Sequence, residues 1–284
     1  MSEALDKAVS AAMREAARRA ILPRFSPGRA IHADYKSVGE AVTAADRESE
    51  EILTSLLAGL IPGAKIIGEE AVSQDPGLGE ELGKGTCWIL DPLDGTGNFA
   101  QGSVPFGMLV ALAHDAEPVA GWILDPVSNR LCSAERGRGA RIDGERFVCP
   151  LPSPTARPKV AITRLFADPL YRQGLVDVLS ASCGVLDSPR CAADQYPRVA
   201  TGDNDATLFT RTISWDHAAG VIFLEEAGGV ARRQDGRSYR CDEDDDGLVV
   251  ASHPSRWEAV TRLLDDAGIT LARAHLHREL REGR

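Results

Sequence analysis

The apolar positions of this chain fall into a helical opening, a strand-rich middle and an alternating close. Residues 3–22 read as one amphipathic helix that stops before Pro23, with acidic residues among the apolar ones. A short strand and an ordered loop fill 31–46, and a second helix covers about 45–60, ending at Gly59 to Gly63. AKIIGEE is a short buried strand running out into acid, and TCWILD is another, leading straight into Asp91. GMLVALAHD and PVAGWILD are strands joined by an acidic turn near Asp115 to Pro118, and RLCSAERGRGARIDGERF continues as strand and hairpin. Beyond 158 the rhythm becomes strand–helix alternation. KVAIT is a strand and DPLYRQGLVDVLSAS a helix. A helix opens at Trp215–Asp216 and runs to Ala227, and GLVVAS precedes a helix over 254–267.

Four prolines in CPLPSPTARP, residues 149–158, mark the boundary between two halves. Residues 1–150 form an α+β half with most of the candidate site. Residues 151–284 form an α/β half with Asp216 and the substrate wall. The acidic run 242–246 reads as a solvated loop and the charged segment from Arg273 as a fraying tail.

Composition narrows the function classes. The chain has 284 residues, 43% hydrophobic and 26% charged, as a soluble globular enzyme requires. Its formal net charge of −10 argues against binding nucleic acid or an anionic membrane. The six cysteines show no C-x-x-C pair and no zinc spacing, so they read as reduced thiols of a cytoplasmic protein. No signal-peptide pattern opens the chain, and no apolar run of about 18 residues would span a membrane.

The chemistry centres on WILDPLDGTGNFA, residues 88–100. A buried strand delivers Asp91, Pro92 fixes the backbone, and Asp94-Gly95 makes a tight turn. Two carboxylates on either side of that turn can converge on oxygen-seeking cations, with the Leu93 carbonyl as a neutral ligand. An unpaired carboxylate at the end of an apolar strand is costly, so Asp91 needs a partner. Gly95 and Thr96 offer backbone N–H groups to an anion if a helical turn starts there. Glu69 ends the strand AKII as Asp91 ends CWIL, and Asp216 opens an apolar helix. Thr43 and Asp46 sit where either would also cap the second helix.

Taken in order, Lys36, VTAAD, IIGEE, WILDPLDGTGNF, the GRGA hairpin at 137–140, WDHAAG and EEAGG resemble the inositol monophosphatase family. The likeness runs from about Lys36 to Gly229. It implies a layered αβαβα sandwich, shared with fructose-1,6-bisphosphatase, and hydrolysis of small phosphate monoesters with two or three Mg²⁺ ions, often by a homodimer. It implies that Glu69, Asp91, the Leu93 carbonyl, Asp94 and Asp216 hold the metals. Thr96 and Glu69 would orient the attacking water, Asp46 with Thr43 would support a further coordinated water, and the Gly95 and Thr96 amides would hold the phosphate. It also implies sensitivity to Li⁺.

The substrate stays open among inositol monophosphates, histidinol phosphate, other sugar or polyol phosphates and 3′-phosphoadenosine nucleotides. Where inositol-specific members of the family place a small-residue turn and often an acid, this chain has Arg190 and Phe209. Both are expected to touch the substrate. An apolar or aromatic body, or a second anionic group, should then be preferred to inositol phosphate. Three rival readings are weaker. Cys132 to Arg138 fits C-x5-R, but Leu131 precedes it and Gly139 follows, unlike a cysteine-phosphatase loop. Asp91 and Asp94 are three apart, the wrong spacing for a haloacid-dehalogenase pair. A non-catalytic regulator on this fold conflicts with the intact ligand set. His217 reads as a packing or capping residue.

Overall fold

The computed structural model describes residues 3–37, 40–153, 155–162, 169–243 and 247–271. Helix α1, Glu3–Ala16, continues as a widened π-type turn, Ala17–Ile21, and closes as a 3₁₀ turn that takes in Pro23. The strand expected in 31–46 is a two-stranded ribbon, β1 (Asp34–Ser37) and β2 (Glu40–Val42), with Lys36 on β1. Helix α2, Ala44–Leu57, follows.

A seven-stranded sheet has the order β3 (Lys65–Gly68), β4 (Thr86–Asp94), β5 (Gly107–His114), β6 (Glu117–Asp125), β7 (Arg130–Glu135), β8 (Gly139–Ile142), β9 (Glu145–Phe147). Only β3 and β4 run parallel, and the short helix α3, Glu69–Gln74, lies in their crossover. Helix α4, Thr96–Ala100, follows β4. The turn at Asp115–Ala116 has both residues at positive φ, the mirror-image geometry that suits the twist of a two-residue hairpin.

The later residues build a five-stranded sheet, β11-β10-β12-β14-β13. Its strands are β10 (Lys159–Ile162), β11 (Gly184–Asp187), β12 (Ala206–Phe209), β13 (Val230–Arg233) and β14 (Leu248–Ala251). Its helices are α5 (Pro169–Ser180), α6 (Ala192–Thr201), α7 (Ser214–Glu226) and α8 (Pro254–Asp266).

Side-chain alternation stacks these elements into five layers. On β4, Trp88 and Leu90 pack with α1 and α2, whereas Cys87 and Ile89 pack with α6 and α7. On β14, Leu248 and Val250 face α7, whereas Val249 and Ala251 face Leu175, Leu179, Val260 and Leu264 of α5 and α8. The result is the αβαβα sandwich. Helices α6 and α7 form the middle layer, which explains why SWDHAAGVIFL of α7 has no single apolar face: both flanks meet a sheet. Helix α7 lies close because Gly121 of β6 has no side chain; a Cβ there would stand 2.6 Å from Ile222 Cγ2 and 2.7 Å from the Ala219 carbonyl oxygen. The two sheets fall on either side of 149–158, but one apolar cluster runs through both.

Five elements escape the sequence pattern: α3, α6, β11, β12 and β13. Pro197 sits inside α6, against the rule that proline ends helices. The helix persists because it is sandwiched, with Tyr196, Pro197, Val199 and Ala200 all buried. Among the described residues no helix is long and apolar enough to cross a membrane. Of the acidic run, 244–246 lie outside the described residues, as does the tail from 272.

Candidate active site

β4 delivers its two aspartates to one side by breaking its own alternation. Residues three apart on a regular strand point to opposite faces. Here Asp91 pairs with Leu109 but Asp94 with Gly107, so β4 carries one residue more than β5 between them. Pro92 has no N–H for the ladder, and a bulge is where a strand tolerates that. Leu93 confirms the switch by packing with Trp88 and Leu90 rather than with Cys87 and Ile89. Asp94 therefore ends a bulged strand instead of forming a tight turn after it, and it lies on the same side as Asp91. The turn comes at Gly95, with φ 81° and an imagined Cβ 3.0 Å from the Pro105 carbonyl oxygen. Gly95 leads into α4, whose first N–H groups have no earlier carbonyl to bond.

Asp91 is 1% exposed and accepts the Leu93 N–H at 3.0 Å. Burial pushes its carboxyl well above the usual range, and the charges of Glu69, Asp94, Asp216 and Asp46 push the same way. Asp94 is half-buried and accepts the Ala193 N–H, at the start of α6, at 2.6 Å. Burial holds its carboxyl up to about 6 despite that bond. Glu69 starts α3, and Asp216 lies in the first turn of α7, whose capping position is Ile213. The four expected metal-holding carboxylates thus come from β4, α3 and α7, and Glu69, Asp94 and Asp216 all act on Asp91 as like charges.

Thr43 caps α2, and Asp46 completes a reciprocal capping box, its Oδ2 accepting from the Thr43 N–H at 2.8 Å and the Thr43 hydroxyl at 2.6 Å. The Thr96 hydroxyl oxygen lies 2.8 Å from Asp46 Oδ1 and 2.8 Å from the Leu93 carbonyl oxygen. Its single proton serves one acceptor at a time. Burial raises Asp46 to about 6, so a proton on Asp46 is accessible near neutrality and can fill the other link.

Such a donor set suits a hard divalent cation. All the donors are oxygens, and their mutual repulsion is relieved by positive charge. Among the described residues no three acidic, imidazole or thiol groups close on one ion unaided. Mg²⁺ takes only one or two protein carboxylates and keeps waters, so an open cluster fits it better than a cage would.

Phe209 is 6% exposed, stacked on Tyr196 at 5.6 Å and edge-on to His217 at 4.6 Å. On β12 it points to the middle layer, where its ring lies in the apolar core. Arg190 is exposed, with φ 60°, immediately before α6. Its loop is tied to the site by Asn98, whose Nδ2 donates to the Pro189 carbonyl at 3.0 Å and the Pro105 carbonyl at 2.8 Å. His217 is a packing residue. The Arg211 carbonyl can only accept, so Nε2 carries the proton and Nδ1 accepts from the Tyr196 hydroxyl at 2.9 Å. Burial lowers its pKa to about 3. All six cysteines are free and buried, and burial pushes Cys132 up to about 12, which removes the thiolate a cysteine phosphatase needs.

Sequence reasoning missed Ser49, Glu50 and the Ala193 N–H. Glu50 is 7% exposed; its Oε2 accepts the Glu70 N–H and its Oε1 the Ala71 N–H, both at 2.8 Å. Burial raises it to about 7. The available signal was spacing: Glu50 lies one helical turn after Asp46, on the same face of α2.

The sequence pattern of the inositol monophosphatase family matches residues 1–269. The inositol-1-monophosphatase of Mesorhizobium japonicum is 32% identical over 261 residues, covering 89% of this chain and 92% of its own length. A Vibrio cholerae protein named Nus factor SuhB is 28% identical over 241 residues, covering 84% of this chain and 87% of its own length. The crystal structure of the extragenic suppressor protein suhB from Bartonella henselae superposes with a TM-score of 0.78 at 24% identity, covering 92% of this chain and 98% of its own, a likeness of fold.

Proposed function

The chain belongs to the inositol monophosphatase family, and on that premise we propose that it hydrolyses a small-molecule phosphate monoester with Mg²⁺. The observation that carries this reading is Asp91: a carboxyl 1% exposed, raised by burial and by four neighbouring carboxylates, in a chain of net charge −10. Without cations that cluster would repel a phosphate dianion.

Glu69, Asp91, the Leu93 carbonyl, Asp94 and Asp216 would hold two or three ions. Bound Mg²⁺ would supply the positive charge that the phosphoryl group needs in its transition state, and would make water easier to ionise. Thr96, backed by Asp46 at 2.8 Å, can accept or pass a proton at Oγ1 and orient water with Glu69. Thr43 keeps Asp46 in register through two hydrogen bonds. The Gly95 and Thr96 N–H groups would receive the phosphate. Arg190, exposed beside the site, would favour a substrate with a second anionic group. With Phe209 in the core, the preference for an aromatic body loses its support.

The test is phosphate release across inositol, histidinol, sugar and 3′-phosphoadenosine phosphates, with Mg²⁺ and with EDTA. Turnover should need the metal, and Asp91→Asn and Asp94→Asn should each cost several orders of magnitude. Full activity in metal-free protein would overturn the reading. Arg190→Ala should lower kcat/KM selectively for doubly anionic esters. A second reading, a regulatory role, is supported by relatives named Nus factor SuhB; absence of turnover on every ester would favour it. The acidic balance speaks for a small-molecule partner over nucleic acid or membrane. Sedimentation tests the homodimer that the family resemblance implies.

A further inference from the structure

Helix α2 presents one buried face to the site, and each of its polar groups there fastens a different piece. Asp46 takes the Thr96 hydroxyl, which sits after the bulge of β4. Ser49 donates to the Pro92 carbonyl at 3.3 Å, between Asp91 and Leu93. Glu50 takes the two N–H groups that follow Glu69, at 2.8 Å each. Spacings of three and four residues put all of them on one side of a helix. Ser49 thus holds the strand that bears two carboxylates, Asp46 holds the start of the helix that follows it, and Glu50 holds the helix start that bears a third.

We propose that Glu50 is a positioning residue of the site: by accepting the Glu70 and Ala71 N–H groups it fixes the first turn of α3, and through it the carboxylate of Glu69 toward the cation. This rests on the functional reading above. Three observations support it. Glu50 uses both carboxylate oxygens, one on each N–H, so the turn is held against both translation and rotation. It is 7% exposed, so water does not compete for those donors. The residue before Glu69 is shaped around it as well. A Cβ on Gly68 would stand 2.6 Å from Glu50 Oε1 and closer still to the rest of the carboxylate. The φ of Gly68 is −106°, so its backbone does not require glycine; the space taken by Glu50 does.

Glu50→Gln keeps the volume but offers one acceptor where two are used, turning an amide N–H₂ toward a backbone N–H. Gly68→Ala keeps every charge and displaces the carboxylate by contact. Calorimetric titration of the metal-free full chain with Mn²⁺ and Mg²⁺ is the primary reading, with kcat, KM and thermal melting beside it. Glu51→Gln, exposed on the same helix, is the control. Glu50→Gln and Gly68→Ala should each weaken cation affinity about tenfold and lower kcat, with KM for the ester within about twofold. Should Glu50→Gln not fold, Gly68→Ala decides alone. Lower melting temperatures with cation affinity equal to the parent would show a merely structural role and overturn the proposal. A parent that takes up no cation overturns the functional reading and this inference together; a parent that does, matched by both variants, overturns this inference alone.

Discussion

Affinity for divalent cations should rise at least about tenfold between pH 5 and pH 8. Asp94 must give up its proton to serve as a ligand, and its carboxyl is held up to about 6 by burial, with Glu69 adding to the rise. At about one pH unit below that value roughly ten in eleven molecules carry the proton, and at two units above roughly one in a hundred does. Proton competition at this single group therefore weakens the apparent affinity about tenfold at the lower pH, or about 1.4 kcal/mol. Asp91 is also raised, by burial and then by Glu69, Asp94, Asp216 and Asp46, so its share has the same sign. Mn²⁺ titrations of metal-free protein at the two pH values, each in two buffers of different ionisation enthalpy, give both the affinity and the number of protons released. Asp94→Asn should remove its tenfold share of the pH dependence. An affinity equal at both pH values, or a binding heat indifferent to the buffer, would refute the claim that cations replace protons on these carboxylates.

Four further outcomes follow from the geometry. Gly95→Ala, forced to φ 81° with its Cβ 3.0 Å from the Pro105 carbonyl oxygen, should lose about 1–3 kcal/mol of stability and most turnover; unchanged melting and kcat would contradict the strain. Cys132→Ser should keep activity within about twofold, since burial pushes that thiol up to about 12; abolished turnover would restore a thiolate mechanism. Tyr196→Phe leaves His217 Nδ1 without its donor at 2.9 Å and should cost about 1–3 kcal/mol in denaturant unfolding, with a null result removing that bond from the account. Li⁺ at fixed Mg²⁺ and matched ionic strength should inhibit turnover, and behaviour identical to Na⁺ would withdraw the expectation.

What the sequence made legible was whatever depends on local pattern. The apolar run before Asp91, the acid after AKII and the apolar helix at Asp216 each mark a carboxylate that the fold carries to the same cluster, where Glu69 and Asp216 act on Asp91 as like charges. The bulge was not legible, because it shows only in the pairing of Asp91 with Leu109 and Asp94 with Gly107. The direction of Phe209 was not legible for a related reason. Its position relative to Asp216 resembles a substrate wall, but the direction of its side chain is set by the register of β12 and the rings of Tyr196 and His217. Helix α6 escaped because its stability comes from burial between two sheets, which outweighs the local cost of Pro197. Glu50 lay in plain view as a helix charge, and only the backbone it meets distinguishes it from a solvated one.

The seating of α7 on Gly121 also means that the first sheet is synthesised before its cover. β4 and α3, with Glu69, Asp91 and Asp94, leave the ribosome long before Asp216 does. Until α6 and α7 emerge, the sheet face bearing Cys87, Ile89, Leu109 and Ile123 has no cover, and the nascent chain carries that oily surface exposed. Translation stopped ahead of α7 therefore removes more than Asp216: it removes the cover of the first sheet. Such fragments should meet chaperones or clump rather than persist as well-behaved but inactive protein.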